Sequence, residues 1–245
     1  VTFKDHFSGH ADRYTRYRPH YPTELFQFLA EVAPQRTAAW DAGTGNGQAA
    51  VRLAEFFDTV FGSDPSARQI EQAFAHPGVR AAESCPLPDD SIDLVTVAQA
   101  AHWFDLERFY AEVRRVCRPR GVLAVWAYGL ARIAPEIDAA VYRLYEDVLG
   151  AYWPPERRLV EQGYTTLVFP FSEIAAPKFA MTANWDLADL IGYLDTWSSA
   201  QNYRRQQGRD PLDVVRQDLD AAWRDTATRR EVRWPLYLRI GRIEV

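Results

Sequence analysis

Asp41-Ala42-Gly43-Thr44-Gly45-Asn46-Gly47 stands between a short apolar run, Thr37-Ala38-Ala39-Trp40, and a segment carrying Val51, Leu53, Ala54 and Phe57 at helical spacing. Glycine at alternate positions lets the chain turn sharply and lets a ligand approach the backbone closely. Strand, glycine turn and helix in that order predict the opening unit of a doubly wound α/β sheet. Downstream the rhythm repeats. Residues 59–62 read as a second strand, followed by a helix over about 66–74. Residues 79–82 read as a third. Residues 92–98 form a fourth, almost continuously apolar as a strand covered on both faces should be. A helix over 106–116 and a turn at Arg118-Pro119-Arg120-Gly121 lead into a fifth strand, 122–126. Upstream, Pro22 suits the first turn of a helix whose stripe is Leu25, Phe26, Phe28, Leu29 and Val32, and Pro34 ends it.

The second half changes character. A helix is expected over 133–149, a break at Tyr152-Trp153-Pro154-Pro155, and a strand over 179–185. Asp186 is placed to cap a helix to about Trp197, Pro211 to open another toward Trp223, and 232–243 to close the chain as a strand. The expected fold is therefore a mostly parallel, seven-stranded, Rossmann-like sheet with a helical, aromatic-rich insertion. The division is 1–35 as N-terminal lid and first helix, 36–130 as cofactor-binding core, 131–230 as substrate-side insertion with one core strand, and 231–245 as final core strand.

A chain of 245 residues with 47% hydrophobic and 25% charged residues has room for one such core with its insertion, and needs no second domain. A net charge of −5 argues against a nucleic-acid partner. No apolar run reaches membrane-spanning length, and the opening Val1-Thr2-Phe3-Lys4-Asp5-His6 holds no signal core, so a cytoplasmic location is expected. Val1 in place of Met leads to the expectation that native residues precede it. Lys4 and Lys178 are the only lysines, an arginine bias expected of a GC-rich, bacterial genome. Cys85 and Cys117 stand outside any metal-ligand spacing and are expected as reduced thiols. His6 and His10 lie four apart, but no carboxylate cluster supports a metal there, and none is expected.

The turn itself selects among cofactors. Asp64 closes the second strand about twenty residues after it, where a carboxylate can accept from ribose hydroxyls, or else cap the next helix with Pro65 at its first position. A dinucleotide site needs a third small residue at position 48, where Gln48 stands. The acid at Asp41 would repel a pyrophosphate but attract an ammonium and a sulfonium, which favours S-adenosylmethionine.

Asp41 to Gly47, Val60-Phe61-Gly62-Ser63-Asp64-Pro65-Ser66, Pro88-Asp89-Asp90-Ser91-Ile92-Asp93-Leu94-Val95 and Val116-Cys117-Arg118-Pro119-Arg120-Gly121 resemble successive motifs of class I S-adenosylmethionine-dependent methyltransferases of the type 11 group. Tyr14-x-x-Tyr17-Arg18-Pro19-x-Tyr21-Pro22, Ala101-His102-Trp103-Phe104 and Trp234-Pro235-Leu236 are similar to the branch that includes trans-aconitate methyltransferase-like proteins. The resemblance implies that Asp41, Gly43 and Gly45 line the methionine part, that Asp64 holds the ribose and Pro65 packs near the adenine, and that Ala82 and Glu83 flank that base. Many relatives carry Asp just before that Ala, where Ala81 stands here. The resemblance also implies that Gln99 meets the methionine backbone or sulfonium region, and that Arg18 with Tyr14 anchors the methionine carboxylate, for which a guanidinium fork is suited.

His102-Trp103 follows the fourth strand, where acceptor should meet cofactor. His102 can be a general base or a histidine bonded into the fold; Trp103 is expected in the pocket wall, with His20 and Tyr21 as further acceptor contacts. The expected function is methyl transfer to a small molecule, in one form to a carboxylate oxygen. The alternatives are a protein or RNA methylase and a noncatalytic protein that keeps the cofactor fold.

Overall fold

The computed structural model describes residues 17–73, 78–82 and 86–244. Five parallel strands, β1 (Ala38–Ala42), β2 (Thr59–Ser63), β3 (Val79–Ala82), β4 (Ile92–Ala98) and β5 (Cys117–Tyr128), lie in the order β3-β2-β1-β4-β5. The sheet then continues through β8 (Arg230–Arg242), antiparallel to β5, to a two-residue β6 (Ser172–Glu173). β7 (Ala180–Trp185) pairs with the other end of β8. The mostly parallel doubly wound sheet is as expected, with β6 as an eighth strand too short to carry a readable pattern.

β5 begins at Cys117 rather than at 122. Cys117 already pairs with Ile92, and a register shift between Ile92 and Leu94 absorbs the expected turn, where Arg120 takes φ +67°. The shift places Asp93, fully buried, at the start of the sheet. One carboxylate oxygen accepts from the backbone N–H of Thr37 (3.0 Å) and Ala38 (2.9 Å), and the other pairs with Arg118 at 2.8 Å. A buried carboxylate with every partner in place ties β1, β4 and β5 together at the end remote from the glycine turn.

Strand alternation sorts the core into two layers. Val122, Ala124, Trp126 and Tyr128 of β5 face α1 (Thr23–Val32), whose Leu25, Phe26 and Leu29 are buried, and Trp126 meets Phe26 edge-on at 6.5 Å. Leu123, Val125 and Ala127 face α4 (Leu106–Val116), capped by Asp105 and burying Tyr110, Val113 and Val116 at the spacing of one helical stripe. α2 (Gln48–Leu53) and α3 (Ala67–Ala73) follow β1 and β2.

The insertion adds α5 (Pro135–Arg143), continued by one π-type turn over Leu144–Val148, then α6 (Arg157–Glu161) and α7 (Leu187–Asp195). Asp186 and Asp189 form a capping box at the start of α7, as its sequence predicts. α8 (Ser198–Gln207) carries no apolar stripe and was not expected from the sequence; it buries Ser199, Ala200 and Tyr203 and stops at Gly208. A short 3₁₀ turn from Pro211 leads into α9 (Arg216–Trp223). No helix among the described residues is long and apolar enough to cross a membrane.

Candidate functional site

The carboxyl ends of β1, β2 and β4 meet at the glycine turn, and the turn is built by those neighbours. The N–H groups of Gly43 and Thr44 both donate to the carbonyl of Ser63 at 2.8 and 3.0 Å. All three glycines take positive φ, +70°, +55° and +86°. Their surroundings differ. A Cβ on Gly43 would lie 2.6 Å from the Cβ of Ala100 and 3.2 Å from the Phe104 ring, so the 99–104 segment packs directly on the turn. A Cβ on Gly47 would lie 3.1 Å from Ala73 of α3. A Cβ on Gly45 would meet only the Gln69 side-chain oxygen, 3.9 Å away in ordinary contact, so the backbone there is uncrowded.

Asp41 sits behind the turn. It is fully buried, and its two carboxylate oxygens accept one hydroxyl each, from Thr44 and Thr96, both at 2.7 Å. The resemblance set it against the methionine part of a ligand; in this structure both oxygens of its carboxylate are engaged by the two hydroxyls. Burial, opposed by those hydroxyls and supported by the negative charge of Asp64, raises its pKa to about 6. Asp64, expected to hold a ribose or to cap the next helix, is bonded on both sides of its own loop. It reaches back to accept from the N–H of Gly45 at 3.0 Å, and it accepts from the N–H of Ser66 at 2.9 Å ahead of α3. Pro65 beside it is exposed, and Ala82 ends β3 in register with Ser63.

Gln99 stands at the end of β4 with φ +59°, a conformation that costs a non-glycine residue about 1–3 kcal/mol and clusters at functional sites. Its N–H donates to the carbonyl of Trp126, and its side-chain oxygen accepts from the N–H of Tyr128 at 3.2 Å, which leaves the amide NH₂ as a donor at the crevice.

Residues 17–21 form a strap across this end of the sheet. The Tyr17 ring packs where a Cβ on Gly192 of α7 would lie, 2.6 Å away; Arg18 donates to the Tyr128 hydroxyl and stands over the Tyr193 ring at 5.4 Å; and the carbonyl of Pro19 accepts from the Gln48 side chain at 3.1 Å. Gln48, the residue that breaks the dinucleotide pattern, thus anchors the strap. Of the two acceptor contacts expected here, Tyr21 is buried, edge-on to Trp126 at 5.5 Å and to Phe26 of α1 at 6.4 Å, and His20 is exposed.

His102 lies in a 3₁₀ turn, Ala101–Trp103. Its Nδ1 is 2.8 Å from the Tyr164 hydroxyl, and its ring centroid is 4.7 Å from that of Trp103, which is itself 40% exposed. Burial, helped by the charge of Arg157, lowers its pKa to about 3. Tyr14, Glu83, His6, His10 and Cys85 fall outside the described residues. Cys117 is buried as a free thiol, its pKa raised to about 12 by burial, and the described residues hold no cluster of three potential metal ligands.

The profile of methyltransferase domains matches residues 40–125. A protein of Dictyostelium discoideum, named as a candidate methyltransferase, is 35% identical over 99% of this chain and 96% of its own length. The chain belongs to the S-adenosylmethionine-dependent methyltransferases. A Mycobacterium tuberculosis protein named as an uncharacterized methyltransferase is 39% identical over 87% of the chain and 85% of its own. A solved structure from Anaeromyxobacter dehalogenans, described as a candidate type II methyltransferase, superposes with a TM-score of 0.88 at 48% identity, covering 93% of this chain and 99% of that one. The methyltransferase's own residues fit that cofactor. Gly45 offers an uncrowded backbone, and the groups flanking it are the acids Asp41 and Asp64, which complement a cationic nucleoside.

Several contributors escaped the sequence reading. Thr44 and Thr96 looked like ordinary strand and turn residues, although a hydroxyl three residues after a buried acid is a legible partner. Tyr128 and Tyr193 form the strap's anchor. Tyr164 sits in a stretch with no motif at all.

Proposed function

We propose that this methyltransferase acts on a small organic acceptor, in the reading we favour a partly apolar carboxylic acid methylated on oxygen, as in the trans-aconitate-like branch its strap and His102 segments resemble. The observation that carries the reading is the strap. It is held by Gln48 at the cofactor turn, by Tyr128 at the end of β5 and against Gly192 on α7, and a segment tied down beside the turn in this way supports a small ligand over a macromolecule. Behind it Tyr193, Trp197 and Trp234 pack together in the core, Tyr193 lying 5.5 Å from Trp234 and 5.9 Å from Trp197, and Arg18 rests on the Tyr193 face.

In this reading the 131–230 insertion is the acceptor side and 36–130 the cofactor side. Gly43 and Gly45 shape the turn against the methionine portion, and Asp41 supplies negative charge from behind it. Asp64 accepts from the ribose, Pro65, Ala82 and Glu83 border the adenine, and the Gln99 amide and Arg18, with Tyr14, meet the methionine carboxylate. Trp103 and His20 are read as lying toward the acceptor. Bound there, S-adenosylmethionine supplies a methyl group on a sulfonium, open to in-line displacement. The protein's task is then to orient the acceptor atom and keep water out. A carboxylate oxygen attacks without a proton acceptor.

Release of S-adenosylhomocysteine from a panel of small mono-, di- and tricarboxylic acids, peptides and RNA tests the reading; turnover restricted to peptide or RNA, or none with any acid, overturns it. Asp64→Ala is expected to weaken S-adenosylmethionine binding tenfold or more, about 1.4 kcal/mol, by titration calorimetry on protein whose melting point is checked in parallel. Undiminished affinity removes Asp64 from the ribose.

A further inference from the structure

The insertion touches the methyl-transfer crevice through Tyr164. Gly163 and Tyr164 both take left-handed backbone, φ +60° and +59°. For a fully buried tyrosine that is a strained conformation, and neighbours hold it in place. Gly163 packs so closely on Tyr237 of β8 that a Cβ would lie 2.9 Å from the ring. Arg239 of β8 donates to the carbonyl of Tyr164 at 3.2 Å, and the N–H of Tyr164 donates to the carbonyl of Leu159 at 2.8 Å. The strain delivers one group, the phenolic hydroxyl, to His102 at the end of β4.

The chemistry at that oxygen fixes the direction of the bond. Tyr164 is fully buried, and the hydrogen-bond partner of its hydroxyl among the described residues is the Nδ1 of His102 at 2.8 Å. A buried hydroxyl keeps its proton hydrogen-bonded, so it donates to that nitrogen. A histidine that accepts at Nδ1 carries its proton on Nε2. Among the described residues Nε2 makes no hydrogen bond, so it is the polar edge the half-buried ring has left to offer.

We propose that Tyr164 is a positioning residue: its hydroxyl holds His102 in the Nε2–H form, so that His102 meets the acceptor as a hydrogen-bond donor and not as a proton acceptor. This rests on the methyl-transfer reading for the donor's role, though the tautomer does not. It narrows the acceptor class to molecules that bring their own nucleophilic lone pair, such as a carboxylate, in which the new O–CH₃ bond forms as the sulfur–methyl bond breaks and no proton has to leave. Arg157 on α6 adds a positive charge that disfavours imidazolium, and Tyr164, Trp103 and Arg157 are the groups that face the ring from the packed elements.

The chain has 5 histidines, so His102 can be assigned by the signal lost in His102→Gln after labelling with ¹⁵N-histidine. Wild-type protein is expected to show a protonated Nε2 and a bare, hydrogen-bond-accepting Nδ1, unchanged from about pH 5 to 8. Tyr164→Phe keeps the buried ring and removes the hydroxyl. It is expected to mix the two tautomers. A wild-type Nδ1–H signature, or a His102 spectrum unmoved by Tyr164→Phe, overturns the proposal. Calorimetry with S-adenosylmethionine on the same samples is read separately: absence of binding to wild type sinks the function reading, while the tautomer result needs no cofactor.

Discussion

Gly43→Ala is expected to destabilise the fold by about 3 kcal/mol, visible as a melting temperature lowered by roughly 6–12 °C for a domain of this size. Two independent terms add. A left-handed backbone costs a residue with a Cβ about 1–2 kcal/mol, and Gly43 has φ +70°. Overpacking costs a further ~1–3 kcal/mol, because the new methyl would stand 2.6 Å from the Cβ of Ala100, an atom with no rotamer to escape into. The Ala100 backbone would have to move, and with it Gln99 and the His102 turn. Gly45→Ala is the control. Its φ of +55° carries the backbone cost, but the nearest neighbour is 3.9 Å away, so only about 1 kcal/mol should be lost. If the uncrowded backbone at Gly45 is where the cofactor lies, that variant keeps its fold and loses affinity. Equal melting temperatures for the two variants would show that the packing of 99–104 on the turn has been misread.

The contrast between these glycines explains what the sequence disclosed and what it withheld. The motif fixes φ at three points, which is why the turn, the strand before it and the helix after it are legible. Nothing in the motif says which glycine is crowded by its own protein and which is not, because the crowding comes from Ala100 and Phe104, more than fifty residues away. Asp93 stood in a segment recognised by resemblance, yet its work depends on Thr37, Ala38 and Arg118 meeting across three strands. The burial of Tyr21 was hidden for the same reason. An aromatic beside a histidine at the mouth of a lid reads as a ligand contact, and only the fold shows it packed against Trp126 and Phe26 of α1. Tyr164 was invisible because a left-handed, buried tyrosine has no local signature; its meaning lies in where Arg239 and Tyr237 hold it.

Asp41→Asn is expected to move stability and cofactor affinity in opposite directions, and both changes should follow pH. In the folded chain burial pushes the Asp41 carboxyl up to about 6, above the usual aspartate value of about 3.9. The folded state therefore holds this proton more tightly than the unfolded chain does. Its contribution to stability is complete below about pH 4 and is lost as pH rises through 6, a total on the order of 3 kcal/mol. Asparagine fills the same space and stays satisfied, accepting from one threonine hydroxyl and donating to the other, since a hydroxyl serves in either role. The variant should accordingly gain about 3 kcal/mol on wild type between pH 4 and 7 in denaturant titrations. Cofactor binding should show the reverse. A bound ammonium and sulfonium favour the ionised carboxylate, so wild-type affinity should rise through pH 6, level off near neutrality, and release a proton in the window where Asp41 is half protonated. Calorimetry in two buffers of different protonation enthalpy measures that release directly. The asparagine variant should bind more weakly, release nothing and show no such pH step. Wild-type affinity flat from about pH 5 to 7.5 would mean that the carboxylate never feels the cofactor, and the acid ahead of the glycines would then be there for Thr44 and Thr96 alone.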